Sequence, residues 1–130
     1  MKKKNSKSDY IEARNRDLKA KFLERLGRPE FPKIESIFPT LAGVKADRFY
    51  ISEERALLYM KYFLREGSWP AGMKPLRRRM MEVIRRRVEI LQAFRPTLSL
   101  SDAVYEVVNS EAPSFYLTPR SIRTILYETC

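Results

Sequence analysis

At 130 residues the chain has the length of one domain, and an apolar fraction of 44% is enough for a packed core. Its 26 Lys and Arg against 16 Asp and Glu leave a net charge of +10, which favours polyanionic partners. With no histidine, one cysteine at position 130 and four glycines, most zinc sites, Ser-His-Asp triads, Cys-His pairs and Gly-rich phosphate loops are excluded.

The carboxylates sit mostly three or four residues from Arg or Lys, as Glu82 does from Arg86 and Arg85 from Glu89. That spacing makes helix-surface pairs rather than an acid/base dyad. The expectation is therefore a protein that is not an enzyme and uses no cofactor or metal. A lone Cys130 forms no internal disulfide, no apolar run follows the basic start, and no stretch approaches the roughly 18 apolar residues of a membrane span. These features lead to an expected cytoplasmic location and no membrane partner.

In chain order, residues 1–8 form a polar, lysine-bearing segment with nothing to bury, expected to be a disordered basic tail. Asp9 with Glu12 resembles a capping box, and Tyr10, Ala13, Leu18, Phe22 and Leu26 recur at helical spacing up to Gly27. Two prolines in "RPEFP" break that helix. A short helix from about Ile34 to Ala42 follows, weakened by Pro39. Ser52 is a good N-cap for a third helix running to Arg65, whose electropositive first turn holds Glu53 and Glu54. Residues 9–66 thus make a first three-helix unit.

"EGSWPAGMKP", with two glycines and two prolines, marks the clearest boundary, so residues 67–75 are read as a linker that Trp69 anchors on the helices. Beyond it "LRRRMMEVIRRRVEILQAF" is strongly amphipathic: Leu76, Met80, Val83, Ile84, Val88 and Leu91 form the apolar stripe, opposite Arg78, Arg79, Arg85 and Arg86. Ser99 and Asp102 cap a short helix to Asn109. Thr118 caps a last helix with Pro119 at its favoured first position, ending near Tyr127. Residues 76–130 make the second unit, packed with the first as one domain.

"RFYISEERALLYM" at Arg48–Met60 and "SFYLTPRSIRTIL" at Ser114–Leu126 are nearly the same phrase, 66 positions apart. The same shift lays Leu18 on Ile84, Lys21 on Arg87, Phe22 on Val88, Ile34 on Leu100, Leu41 on Val107 and Ala46 on Ala112. The pattern predicts an all-α internal repeat: about six helices in two similar, helix-turn-helix-like three-helix halves. In each connector the Phe is expected to plug the core and the Tyr to span core and rim.

Such a unit lays its third helix in the major groove of duplex DNA. In the last helix Ile122, Ile125 and Leu126 would face inward, leaving Arg120, Ser121, Arg123 and Thr124 for bases and phosphates, with Tyr127 beside them. Arg78, Arg79, Arg85 and Arg86, at seven-residue intervals, form a comb suited to backbone phosphates. The Glu53–Arg65 helix fits a groove poorly: acidic in its first turn, it exposes Leu58 beside Lys61, with Leu57 and Met60 adding apolar surface. It suits a protein partner instead. The expected function is thus double-stranded DNA binding without catalysis. A rival reading is an adaptor for an acidic partner protein, and RNA binding ranks third because the aromatics form no RNA-recognition pattern. Convergence of the six arginines on one surface separates DNA binder from adaptor.

"RFYISEERA", "MKPLRRRMMEVIRRRV" and "VVNSEAPSFYLTPRSIRTILY", spanning Arg48 to Tyr127, resemble a group of small basic, uncharacterised bacterial proteins of Bacteroides-type genomes. The resemblance implies a bacterial protein carried on a mobile element. It supplies no activity and no site residues.

Overall fold

A computed structural model describes residues 7–129, and among them every regular element is a helix: α1 (Lys7–Arg25), α2 (Ile34–Leu41), α3 (Glu53–Glu66), α4 (Pro75–Phe94), α5 (Leu100–Val108) and α6 (Pro119–Thr129). None of these helices is long and apolar enough to cross a membrane.

Local chemistry sets the helix starts. Ser52 Oγ accepts from Arg55 N at 3.1 Å, Ser99 Oγ from Asp102 N at 3.1 Å, and Thr118 Oγ1 from Ser121 N at 3.0 Å. Each cap satisfies a backbone donor that the helix itself leaves open. Because Ser99 is the cap, α5 begins at Leu100 rather than Asp102. Helix α1 begins at Lys7, so Asp9 lies in its first turn and is not its cap; residues 1–6 of the expected tail lie outside the described residues. Gly67, at φ 78°, closes α3 by donating to Phe63 O at 2.7 Å, a left-handed position that glycine takes without strain.

The packing crosses the boundary drawn from sequence. Helix α4 packs on α5 and α3, while α1 packs on α2 and α6; α3 also meets α5, and α2 meets α6. No other pair of helices packs together among the described residues. Residues 9–66 and 76–130 are therefore not the packing units, since each third helix lies on the long and short helices of the other half. The reason lies in the connectors. Residues 42–52 and 109–118 are mostly non-helical, and at up to about 3.3 Å per extended residue they reach across the molecule. They cross at Ala46 and Ala112, which exchange N–H···O bonds of 2.9 Å in both directions.

Around that crossing the contacts come in pairs. Phe49 stacks on Tyr116 with ring centroids 6.3 Å apart, and Tyr50 on Phe115 at 6.0 Å. Lys21 Nζ lies 5.9 Å from the Phe115 ring, and the Arg87 guanidinium 5.3 Å from Phe49. Exchanging each residue for the one 66 positions away turns the first member of each pair into the second. One continuous apolar core results, with Leu18, Ile37 and Leu41 from the first half and Met81, Ile84, Val104 and Ile122 from the second. Phe49 and Phe115 are buried in it, as expected. Tyr116 stays at the rim, whereas Tyr50 is itself buried and donates to Asp17 Oδ2 at 2.7 Å. Trp69 anchors the linker as expected: its ring is 4.5 Å from Phe63 and its N–H donates to Glu82 at 2.7 Å.

Candidate nucleic-acid interface

Four helices begin at one end of the molecule, and each start carries partial positive charge from unpaired N–H groups. A depression of about 460 Å³ joins Tyr10 of α1 to Ser52, Arg55 and Tyr59 of α3 and to Lys74 and Arg77 at the start of α4. A second brings Leu76 and Arg79 of α4 against Tyr116, Thr118 and Pro119 at the start of α6. A third sets Arg14 of α1 beside Arg120, Ser121 and Thr124 of α6. The starts of α1 and α4 thus lie between those of α3 and α6.

This end is basic beyond the overall charge balance. Arg14, Arg55, Lys74, Arg77, Arg79 and Arg120 line the three depressions, and no carboxylate lines any of them. None of these cations is in an ion pair among the described residues. The acids that open α3 are turned away. Glu53 is buried and accepts from Asn109 Nδ2 at 3.1 Å, and Glu54 accepts from the Tyr105 hydroxyl at 3.4 Å, both against α5. Arg14 is half-buried, with both Nε and Nη2 on Asn15 Oδ1 at 3.1 and 3.0 Å. Burial pulls its pKa below the usual value against an opposing contribution from Tyr10. A guanidinium stays charged regardless, so an arriving anion would compensate lost hydration.

The structure sorts the residues named from sequence. Arg79, Arg120, Ser121 and Thr124 reach this end, and Ser121 Oγ also accepts from Thr118 Oγ1 at 3.1 Å inside the α6 cap. Arg78 is exposed and donates to Met73 O at 3.3 Å, at the edge of the α3–α4 depression. Arg85 is not available. It bonds Glu82 and Glu89 at 2.8 Å each and lies 4.7 Å from the Phe63 ring, bracing α4 against α3. The four-arginine comb is therefore broken, because Glu82 and Glu89, three residues before and four after Arg85 on the same face of α4, take up its guanidinium. Arg86 is exposed but lines none of the three depressions. Arg123 is engaged with Glu35 of α2 at 3.6 Å and sits 5.6 Å from the Tyr127 ring. Of the six arginines only Arg79 and Arg120 line the depressions, so the six do not converge on one surface, the outcome expected to favour an adaptor. Arg14, Arg55, Lys74 and Arg77 take part instead; their shared sequence signal is position, near a helix start or within its first turns.

Two further expectations change. Helix α6 does not pack on α5 in a contiguous helix-turn-helix; it rests on α2, where Tyr127 meets Phe38 edge-on at 5.7 Å and donates to Glu35 at 3.1 Å. On α3, Leu58 and Leu64 are 67% and 61% exposed, but Met60 is buried and contributes no partner surface. One backbone feature marks the α4–α6 depression. Tyr116 has φ 57°, a left-handed conformation costing of order 1 kcal/mol away from glycine, and its N–H donates to Ser114 Oγ at 2.8 Å.

Compared with protein-family models, curated proteins and solved structures, the chain matches none.

Proposed function

We propose that the chain is a non-enzymatic DNA-binding protein that meets the duplex with its basic end and presents Arg120 of α6 to base edges. One observation carries the reading: six cations line three adjoining depressions at converging helix starts, with no ion pair and no carboxylate among them. A run of phosphates suits such a surface, which attracts it through charge, donor geometry and helix dipoles together. The contacts related by a shift of 66 support descent from a duplicated three-helix unit whose third helices were exchanged. A bacterial regulator or mobile-element protein acting in the cytoplasm is the setting we propose for it. A second reading, an adaptor with a protein partner on α3, draws support from the exposed Leu58 and Leu64.

The test is binding to random duplex DNA over a salt series. The logarithm of affinity should fall against the logarithm of salt with a slope near −0.9 per phosphate neutralised. Arg79→Ala should flatten that slope by about one phosphate, and Arg120→Ala should cost about 1–3 kcal/mol on a selected site. Arg123→Ala, whose partner is Glu35, should leave both unchanged. Absence of binding at low salt, or binding indifferent to salt, removes the DNA reading and leaves the adaptor.

A further inference from the structure

We infer that, within the basic end, the depression between α3 and the start of α4 is a site for a nucleotide unit, a phosphate carrying an aromatic base. Its chemistry is anion plus ring: Arg55, Lys74 and Arg77 supply three cations, and Tyr10 and Tyr59 supply two half-buried rings. Among the described residues the cations have no ion pair and the tyrosine hydroxyls no hydrogen bond. At about 460 Å³ the space falls within the roughly 300–1,000 Å³ of small-molecule sites. Guanidinium forks match phosphate oxygens, and a tyrosine face stacks on any base.

The molecule contains its own control. Positions 66 residues away occupy the corresponding places in the other half, and there Tyr10 is replaced by Leu76, Arg55 by Ser121, Tyr59 by Ile125 and Arg77 by Ile11. That half folds with α6 on α1 as α3 folds on α4. Packing in this architecture is therefore satisfied by Leu, Ser and Ile, and does not require two tyrosines and two arginines. The other half has two arginines of its own, Arg14 and Arg120, beside Ser121 and Ile125, so what is particular to the first side is the tyrosine pair beside three cations, and that combination calls for a ligand. The inference does not depend on duplex binding, because a nucleotide unit reaches the depression either free or as an unpaired position in a strand.

Calorimetric titration of the full chain with AMP, a thymidine hexanucleotide and inorganic phosphate tests it. AMP or the hexamer should bind at least about tenfold tighter than inorganic phosphate, reflecting the stacked base. Preference for AMP identifies the free nucleotide as the source, and preference for the hexamer identifies the strand. The double variant Arg55→Ser with Tyr59→Ile writes the α6 residues into α3. It should weaken the preferred probe about tenfold or more at an unchanged melting temperature, while Arg123→Ala, whose side chain is engaged by Glu35 away from the basic end, leaves that probe unaffected. If the double variant loses its fold, Arg77→Ile, again the residue of the other half, replaces it with the same expectation. No binding by either nucleotide probe, phosphate binding as tightly as both, or affinity unchanged in a folded variant overturns the inference. Loss of duplex binding in Arg79→Ala or Arg120→Ala with AMP binding retained would bear on the duplex reading alone.

Discussion

The two connectors that cross at Ala46 and Ala112 carry nearly the same residues and are held by different means. On the first side Asp17, whose side chain is 3% exposed, accepts from the Tyr50 hydroxyl at 2.7 Å and the Asp47 N–H at 2.8 Å while pairing with Lys21. On the second side the position 66 residues beyond Asp17 is Val83 and that beyond Asp47 is Pro113. Tyr116 there has no such acceptor, and its connector is fixed by Arg87, which donates to Glu111 O at 2.6 Å, and by Ser114, which donates to Ala42 O at 3.2 Å. Where the two sides agree, as at Phe49 and Phe115, the constraint is packing in a shared core. Where they differ, each side solved its own polar bookkeeping, or is free to carry a function.

The largest expected effect concerns the exchange itself. With a protease site inserted between Gly67 and Ser68 and then cleaved, the two fragments should co-elute as a 1:1 complex, since each third helix is packed on the other fragment. Two separating fragments would show instead that the halves pack within themselves. Next come Phe49→Ala and Phe115→Ala, expected to cost about 3–5 kcal/mol each by denaturant unfolding. Costs differing by more than about 2 kcal/mol would mean that only one side of the crossing is a true core.

Asp17→Ala separates the sides. It leaves the Tyr50 hydroxyl and the Asp47 N–H without their acceptor, and Lys21 with Asp47 alone, and should cost about 3 kcal/mol, whereas Val83→Ala, at a half-buried position, should cost about 1 kcal/mol. Tyr50→Phe should cost about 1.5 kcal/mol and Tyr116→Phe close to nothing, because only Tyr50 bonds a carboxylate. Alkaline pH sharpens this pair. Burial, with the hydrogen bond to Asp17 adding to it, raises the Tyr50 pKa above its ordinary value of 10.0. A raised folded-state pKa contributes stability that is complete below the unfolded value and is lost as pH rises above it. Stability should therefore decline above about pH 10, less steeply in Tyr50→Phe; parallel declines would show that the Tyr50 hydroxyl is not buried against Asp17 in solution. The smallest pair is Ser52→Ala and Thr118→Ala, about 1 kcal/mol each, since both side chains cap one backbone N–H.

Helices α3 and α6 extend the comparison to the surface. Both begin behind a hydroxyl cap, and the sequence pattern makes α6 the reader and α3 a partner helix because of Glu53 and Glu54 in its first turn and the apolar surface at Leu57, Leu58 and Met60. Those two acids are taken up by Asn109 and Tyr105 of α5, which leaves Arg55 at the basic end. A charge read from sequence has no direction, and the direction decided the matter here. Arg85 and Arg123 show the converse, exposed by helical periodicity yet engaged by Glu82, Glu89 and Glu35.

What the sequence by itself determined is local: six helices, the Ser52, Ser99 and Thr118 caps, the α4 stripe and the buried phenylalanines. Each of these follows from interactions within a turn or two, or from an apolar period that marks its own inward face. The tertiary structure alone decided which helices lie together and which cations are left over. Ala46 pairs with Ala112, and Tyr50 with Asp17, between segments that no helical or strand period brings together, and the 66-residue repeat aligns Ala46 with Ala112 without saying that they touch. A connector of ten or eleven residues is equally compatible with folding back or crossing over, and only the packing of the other half against α3 and α6 selects between them.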